Sequence, residues 1–182
     1  MEVKELTEAR EVQLILEYWF SRTNEELLKM GVDILKFPSK DQLQATLESQ
    51  MQASYKLKTV HYILWVLDGT PIGHSSLTKI KYGEDACMHL HVWGPSNRQR
   101  GLGSKFVHLS LEHYFSCFNF KRVLCEPNAY NEAPNNALKR AGFTFLETVV
   151  TVPGLINFEQ PVNRYEMTKE TFYSSYLSLL HL

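Results

Sequence analysis

Residues 93–106 read Trp-Gly-Pro-Ser-Asn-Arg-Gln-Arg-Gly-Leu-Gly-Ser-Lys-Phe, and this stretch decides the fold. An apolar strand ends at Trp93 and a polar turn follows. Arg98, Gly101 and Gly103 then open an amphipathic helix in the pattern R-x-x-G-x-G. Two glycines at that spacing let backbone approach a ligand closely, and the first N–H groups of a helix, which have no intrahelical partner, point at an anion. The stretch reads as a phosphate seat; the plainer alternative is an ordinary glycine-bearing strand-to-helix turn. Two other phosphate loops are excluded. The G-x-x-x-x-G-K-[ST] spacing fails because Ser104 follows Gly103 and Lys105 has no glycine before it, and the dinucleotide fingerprint fails because Phe106 stands at its third glycine.

The 182 residues, 44% hydrophobic and 12% aromatic, suffice for one domain over 1–182 with a full core. A net charge of -1 with the signs interspersed argues against a nucleic-acid surface, which needs clustered Lys and Arg. Cys87, Cys117 and Cys125 are odd in number and lack C-x-x-C or zinc-ligand spacing, so they read as reduced core thiols of a cytoplasmic protein, with no metal expected. Residues 1–10 carry alternating charges instead of a basic-then-apolar signal. No apolar run approaches the roughly 18 residues of a membrane span.

Around the seat, the order of elements is legible from periodicity. Residues 1–58 read as helical, with helices over 8–21, 24–30 and 39–54, the last opened by a Ser39/Gln42 capping box, and with Leu35 and Phe37 on an exposed loop. From residue 59 the period becomes two. Strands over 61–67, 71–81 and 86–93 are joined by Asp68-Gly69 and by a turn at 83–85, so three antiparallel strands precede the key helix, 101–117. A short buried strand over 122–126, a helix over 132–141 closed by Gly142, and strands over 143–152 and 158–167 follow. The apolar tail 169–182, capped by Thr168, folds back on its own domain or buries itself in a homodimer. Strand, seat, helix, strand, helix over 86–141 is a βαβα unit whose two parallel strands splay where a ligand binds.

With Asn131 and Ala141-Gly142-Phe143 added to the R-x-x-G-x-G motif, residues 59–168 resemble the GNAT superfamily of acetyl-CoA-dependent N-acetyltransferases. The resemblance implies an α/β (α+β) fold with a central mixed, mostly antiparallel twisted sheet, splayed at a parallel pair and flanked by helices. It implies acetyl-CoA as cosubstrate, with the backbone of His91, Val92 and Trp93 on the pantetheine arm. Arg98, Gln99, Arg100, Gly101, Leu102, Gly103 and Ser104 would hold the pyrophosphate, and Asn128 and Asn131 would flank the cofactor. Arg98 and Arg100 add charge there or serve as solvated turn residues. Many members of the family place an acid tyrosine seven positions after the asparagine; this chain has Leu138.

An alkylammonium has no lone pair near neutral pH, so the acceptor needs a base. Alternation puts His89, His91 and Trp93 on one face of their strand, and the two histidines are the candidate bases or else packed sheet residues. Glu126 is a candidate to orient a histidine or to bind the acceptor's cation. The Glu126-Pro127-Asn128 stretch resembles both the siderophore-amine and the aminoglycoside branches of the family, with Asn128 where the former has an aspartate. The expected activity is acetyl transfer to a primary amine or hydroxylamine of a small molecule, without nucleic acid or membrane. A silent acyl-CoA-binding module and a protein N-terminal or lysine acetyltransferase are the alternatives.

Overall fold

Alternation from residue 61 onward builds the centre of the molecule. Ile63 and Trp65 face one core cluster while Leu64 and Val66 face another. The structure, a computed structural model, describes residues 1–94 and 102–180, with side chains through 174. Strands β2 (His61–Leu67), β3 (Thr70–Lys81) and β4 (Asp85–Val92) are antiparallel neighbours. A strand not expected from the sequence, β1 (Glu2–Glu5), pairs with the free edge of β2, so four antiparallel strands precede the key helix. Its alternating charges suit an edge strand, where charge discourages pairing with another chain.

β5 (Arg122–Cys125) lies parallel to β4, and β7 (Gln160–Thr168) and β6 (Thr144–Thr151) complete a seven-stranded sheet of order β1-β2-β3-β4-β5-β7-β6. The other pairings are antiparallel, so the sheet is mixed and mostly antiparallel. On the Leu64 face lie α1 (Ala9–Phe20), α2 (Asn24–Lys29) and α3 (Lys40–Gln52), which bury Val12, Ile15, Leu16, Trp19, Leu27 and Leu47. Reciprocal capping boxes start α2 at Thr23/Glu26 and α3 at Ser39/Gln42, each satisfying two end groups that the helix leaves open. Leu35 is 97% exposed, but Phe37 is half-buried against Trp19 and Phe20, at 5.8 and 5.3 Å between ring centroids.

The opposite face carries α4 (Leu102–Phe118), whose Phe106, Val107, Leu111, Tyr114 and Phe118 are buried. α5 (Glu132–Arg140) ends in a Schellman turn: Phe143 N–H reaches Leu138 O at 3.1 Å and Gly142, at φ +84°, reaches Lys139 O at 3.1 Å. α6 (Lys169–Leu180) begins by folding back on the chain itself, with Phe172 against His108 and Phe115 of α4. Cys87 and Cys125 are buried, whereas Cys117 is half-buried, short of the core position expected for it. No helix among the described residues is long and apolar enough to cross a membrane.

Candidate active site

The site is a break in the sheet. β4 and β5 pair at Asp85↔Arg122, Ala86↔Val123 and Cys87↔Leu124 and no further, although β4 stays paired with β3 as far as Gly73↔Val92. At the first residue past the ladder, the Cys125 thiol donates to Met88 O at 3.0 Å and takes up a carbonyl that the parting strands leave open. Residues 88–92 therefore form a strand with an open edge, and the sequence-predicted His91 and Val92 lie on it. Trp93 follows, its N–H on Ile72 O at 2.8 Å. Gly73 permits this geometry, since a Cβ there would lie 2.6 Å from His91 O.

Of the expected phosphate seat, Arg98, Gln99, Arg100 and Gly101 lie outside the described residues. Leu102, Gly103 and Ser104 form the first turn of α4. Among the described residues a Cβ on Gly103 would meet Ala137 Cβ, at an ordinary 3.7 Å, so their packing does not demand glycine there.

Beneath the open strand the side chains form an aromatic and imidazole cluster that joins β4 to α1. The Tyr18 hydroxyl is 3.0 Å from His91 Nδ1, and the His91 ring stacks on His74 of β3 at 4.6 Å. Trp93 Nε1 donates to His74 Nδ1 at 2.9 Å, Trp19 meets His91 edge-on at 5.0 Å, and the Arg22 guanidinium lies 4.1 Å above the Tyr18 ring. Burial, with the neighbouring charges of His89 and Arg22, lowers His91 to about 3, and burial with the Lys79 charge lowers His89 to about 4. His74, fully enclosed, is lowered well below its ordinary value, first by burial. All three are neutral near pH 7, well below the value near 6.5 that an unburied imidazole would have.

His89 Nε2 is 2.8 Å from Thr78 Oγ1. Glu126 bonds Arg164 Nε at 2.7 Å and lies 3.8 Å from Lys79 Nζ, with its carboxylate 6% exposed; among the described residues no histidine is its partner. Arg164 also pairs with Glu147 at 2.5 Å. Asn128 accepts from Tyr130 N–H at 2.9 Å and donates to Gln160 at 2.8 Å. Asn131 is the N-cap residue of α5, and its carbonyl accepts from Asn135 Nδ2 at 2.6 Å.

Buried Asn135 was missed by sequence reasoning, yet it organises this corner: it also bonds Asn128 O at 3.0 Å and accepts from Tyr165 and Asn163. Its one visible signal is the four-residue spacing from Asn131. Tyr18, Gly73 and His74 were missed as well. Leu138, at the position of the family's tyrosine, is fully buried among apolar side chains.

The described geometry has known counterparts. A family model described as an acetyltransferase (GNAT) domain matches residues 6–144. The chain is similar to the aminoglycoside acetyltransferase AAC(6')-Ib solved in complex with coenzyme A, at 17% identity and TM-score 0.70 over 96% of this chain and 99% of that one. It is also similar to a mutant form of the Vibrio cholerae spermidine N-acetyltransferase SpeG, at 14% identity and TM-score 0.73 over 96% of each chain. The ribosomal L7/L12 alpha-N-protein acetyltransferase RimL, in complex with coenzyme A, matches at 15% identity and TM-score 0.72 over 93% of this chain and 94% of that one. No curated protein sequence matches the chain. With the family model covering residues 6–144 and the parted β4 and β5 in place, the chain belongs to the GNAT acetyltransferase family and is an acetyl-CoA-dependent acyltransferase.

Proposed function

We propose that the protein moves an acetyl group from acetyl-CoA to a primary amine or hydroxylamine of a small molecule by direct attack. The observation that carries this reading is the strand pair that stops at Cys87↔Leu124, leaving an open β4 edge above the His74, His91 and Trp93 cluster. The open edge fits the amide-bearing pantetheine arm, because unpaired backbone groups seek such partners. Residues 1–58 supply the acceptor wall through Tyr18, Trp19 and Arg22, and the seat at 98–104 takes the pyrophosphate. Asn128 and Asn131 close the cofactor side.

The acceptor nitrogen attacks the thioester carbon with its lone pair, forming the C–N bond. A backbone N–H near Val92 or Trp93 stabilises the oxyanion, and the C–S pair then leaves with sulfur as the CoA thiolate. That departure is tolerable without the missing tyrosine, since a thiol of pKa about 8.5 is a fair leaving group. In the tautomer that donates from Nδ1 to Tyr18, His91 Nε2 carries a lone pair and receives the nitrogen's proton. A base held near 3 is mismatched to an alkylammonium near 10, so the acceptor favoured here is an amine substantially uncharged at neutral pH. Glu126 and Glu147 are already paired with Arg164, which disfavours a polycationic acceptor. His89 is a positioning residue against Thr78.

Thiol release from acetyl-CoA, measured with a panel of mono-amines, hydroxylamines, polyamines and peptides, tests the reading. The small weakly basic acceptors should turn over fastest, and His91→Ala should lower kcat roughly 10- to 100-fold with acetyl-CoA affinity retained, the low end of general-base effects. Turnover confined to peptides or polyamines, or an unchanged His91→Ala rate, overturns it.

A further inference from the structure

On the α4 face, across the sheet from the reaction site, three elements bring nitrogen, oxygen and sulfur donors together. Glu5 ends β1, His61 begins β2, and His113 and Cys117 lie one turn apart near the end of α4. We infer that Glu5, His61, His113 and Cys117 form a binding site for one divalent transition-metal ion of the zinc type.

The distances match. His61 Nε2 and His113 Nε2 are 3.2 Å apart, and His113 Nε2 is 3.4 Å from Glu5 Oε1. Tetrahedral zinc with N and O bonds of 2.0–2.1 Å has donor-to-donor edges of about 3.3–3.4 Å. Donor atoms of Glu5, His113 and Cys117 all lie within 4.8 Å of one another; the thiol lies 3.9 Å from His113 Nδ1, so rotation of the Cys117 or His113 side chain is the step that brings it to the Nε2 side as fourth ligand. His-x-x-x-Cys on a helix puts both donors on one side, the spacing logic of paired helical zinc ligands.

The chemistry agrees with the distances. A neutral imidazole carries one ring-nitrogen lone pair, so His61 and His113 can each supply one nitrogen to a metal. The Glu5 carboxylate and a Cys117 thiolate together balance a dication, and binding sends the thiol proton to solvent. The Tyr55 hydroxyl donates to Glu5 Oε1 at 2.5 Å, the outer-shell bond that aims a ligating carboxylate. A cavity of about 10 Å³, lined in part by Glu5, Lys58 and His61, adjoins the donors and has room for about one water. The Lys58 ammonium there is turned to the Gln50 carbonyl. Bound metal would fasten edge strand β1 to α4. The C-x-x-C spacings sought in the sequence say nothing about a site assembled from β1, β2 and α4.

Calorimetric titration of the full-length, tag-free, chelator-stripped protein with zinc should give one ion per chain, with proton release visible as a buffer-dependent heat. Cobalt should show the intense visible bands of a tetrahedral ion and a thiolate charge-transfer band. Cys117→Ser should remove the charge-transfer band, and His113→Asn should weaken zinc binding by more than about 100-fold, since even outer-shell losses cost about 10- to 100-fold. Glu5→Gln serves in place of His113→Asn if that variant does not fold, judged by circular dichroism. Absence of one-to-one binding overturns the site. So does binding that survives both Cys117→Ser and the second variant, because the ion would then sit elsewhere, for instance among His74, His89 and His91.

Discussion

The two faces of the sheet handle buried polar atoms differently. On the α4 face they are paired within the protein: Trp65 Nε1 donates to Ser110 Oγ at 2.9 Å, Ser110 donates to Phe106 O at 2.7 Å, and Tyr114 donates to Ser75 at 2.8 Å. On the α1 face Trp19 Nε1, Arg22 Nε and His74 Nε2 are buried with no hydrogen-bond partner among the described residues. An unsatisfied buried donor costs about 1–3 kcal/mol. Three of them gathered beside the open β4 edge make this the unfinished face, in keeping with the acceptor wall proposed there, whereas the α4-side core around Trp65 and Tyr114 is finished scaffold.

The largest effect should come from breaking the finished face. Phe106 is fully buried and stacks on Trp65 at 5.1 Å and 8°. Phe106→Ala should lower stability by about 3–5 kcal/mol in a urea melt, from lost burial plus the cavity left behind. A loss below about 1 kcal/mol would show that the α4 face relaxes as readily as a surface, and the contrast would fail.

Acidity probes the unfinished face. His74 is neutral when folded, and its folded value lies well below 6.5, chiefly through burial. An unfolded chain takes up a proton there as pH falls below about 6.5 while the folded chain does not, so the stabilising contribution is complete above that pH and is lost on acidification. The slope approaches about 1.4 kcal/mol per pH unit for this one residue. Chemical melts from pH 7 to 5 should therefore show stability falling, and His74→Phe should flatten the fall by about 2 kcal/mol over that range. An identical pH slope in the variant would mean that His74 is protonated in the fold.

Why His74 was not legible in the sequence is a matter of register. Lys81 pairs with Asp85, and counting back from there places Ser75 opposite His91, with residue 74 on the other face. The register shifts by one between Thr78 and Lys81, where Lys79 sits at φ +52°, so it is His74 that stacks on His91. One extra residue in a bulge moves every later side chain to the opposite face, and sequence periodicity does not reveal where it falls. Elements with strong local signals were legible: the capping box at Ser39, the Asp68-Gly69 hairpin, and the glycine-terminated α5. β1 was not, because four residues alternating between exposed and half-buried are too short a run to signal a strand and depend on the free edge of β2. The networks of Asn135 and of Glu126 were invisible for the same reason, as they join residues some 30 to 40 apart in the chain.

The smallest effects give the sharpest form of the comparison, because they delete one hydrogen-bonding atom from each face. Ser110→Ala leaves Trp65 Nε1 buried without its acceptor, and should cost about 1–3 kcal/mol with the acceptor KM unchanged. Trp19→Phe removes an N–H that has no partner among the described residues together with part of a buried ring, so its cost, about 1–3 kcal/mol, comes from packing alone. If the acceptor uses that N–H, its KM should rise while acetyl-CoA binding stays constant. A raised KM would place the acceptor against α1, on the side of β4 where the imidazoles are, and an unchanged KM would take it off that side.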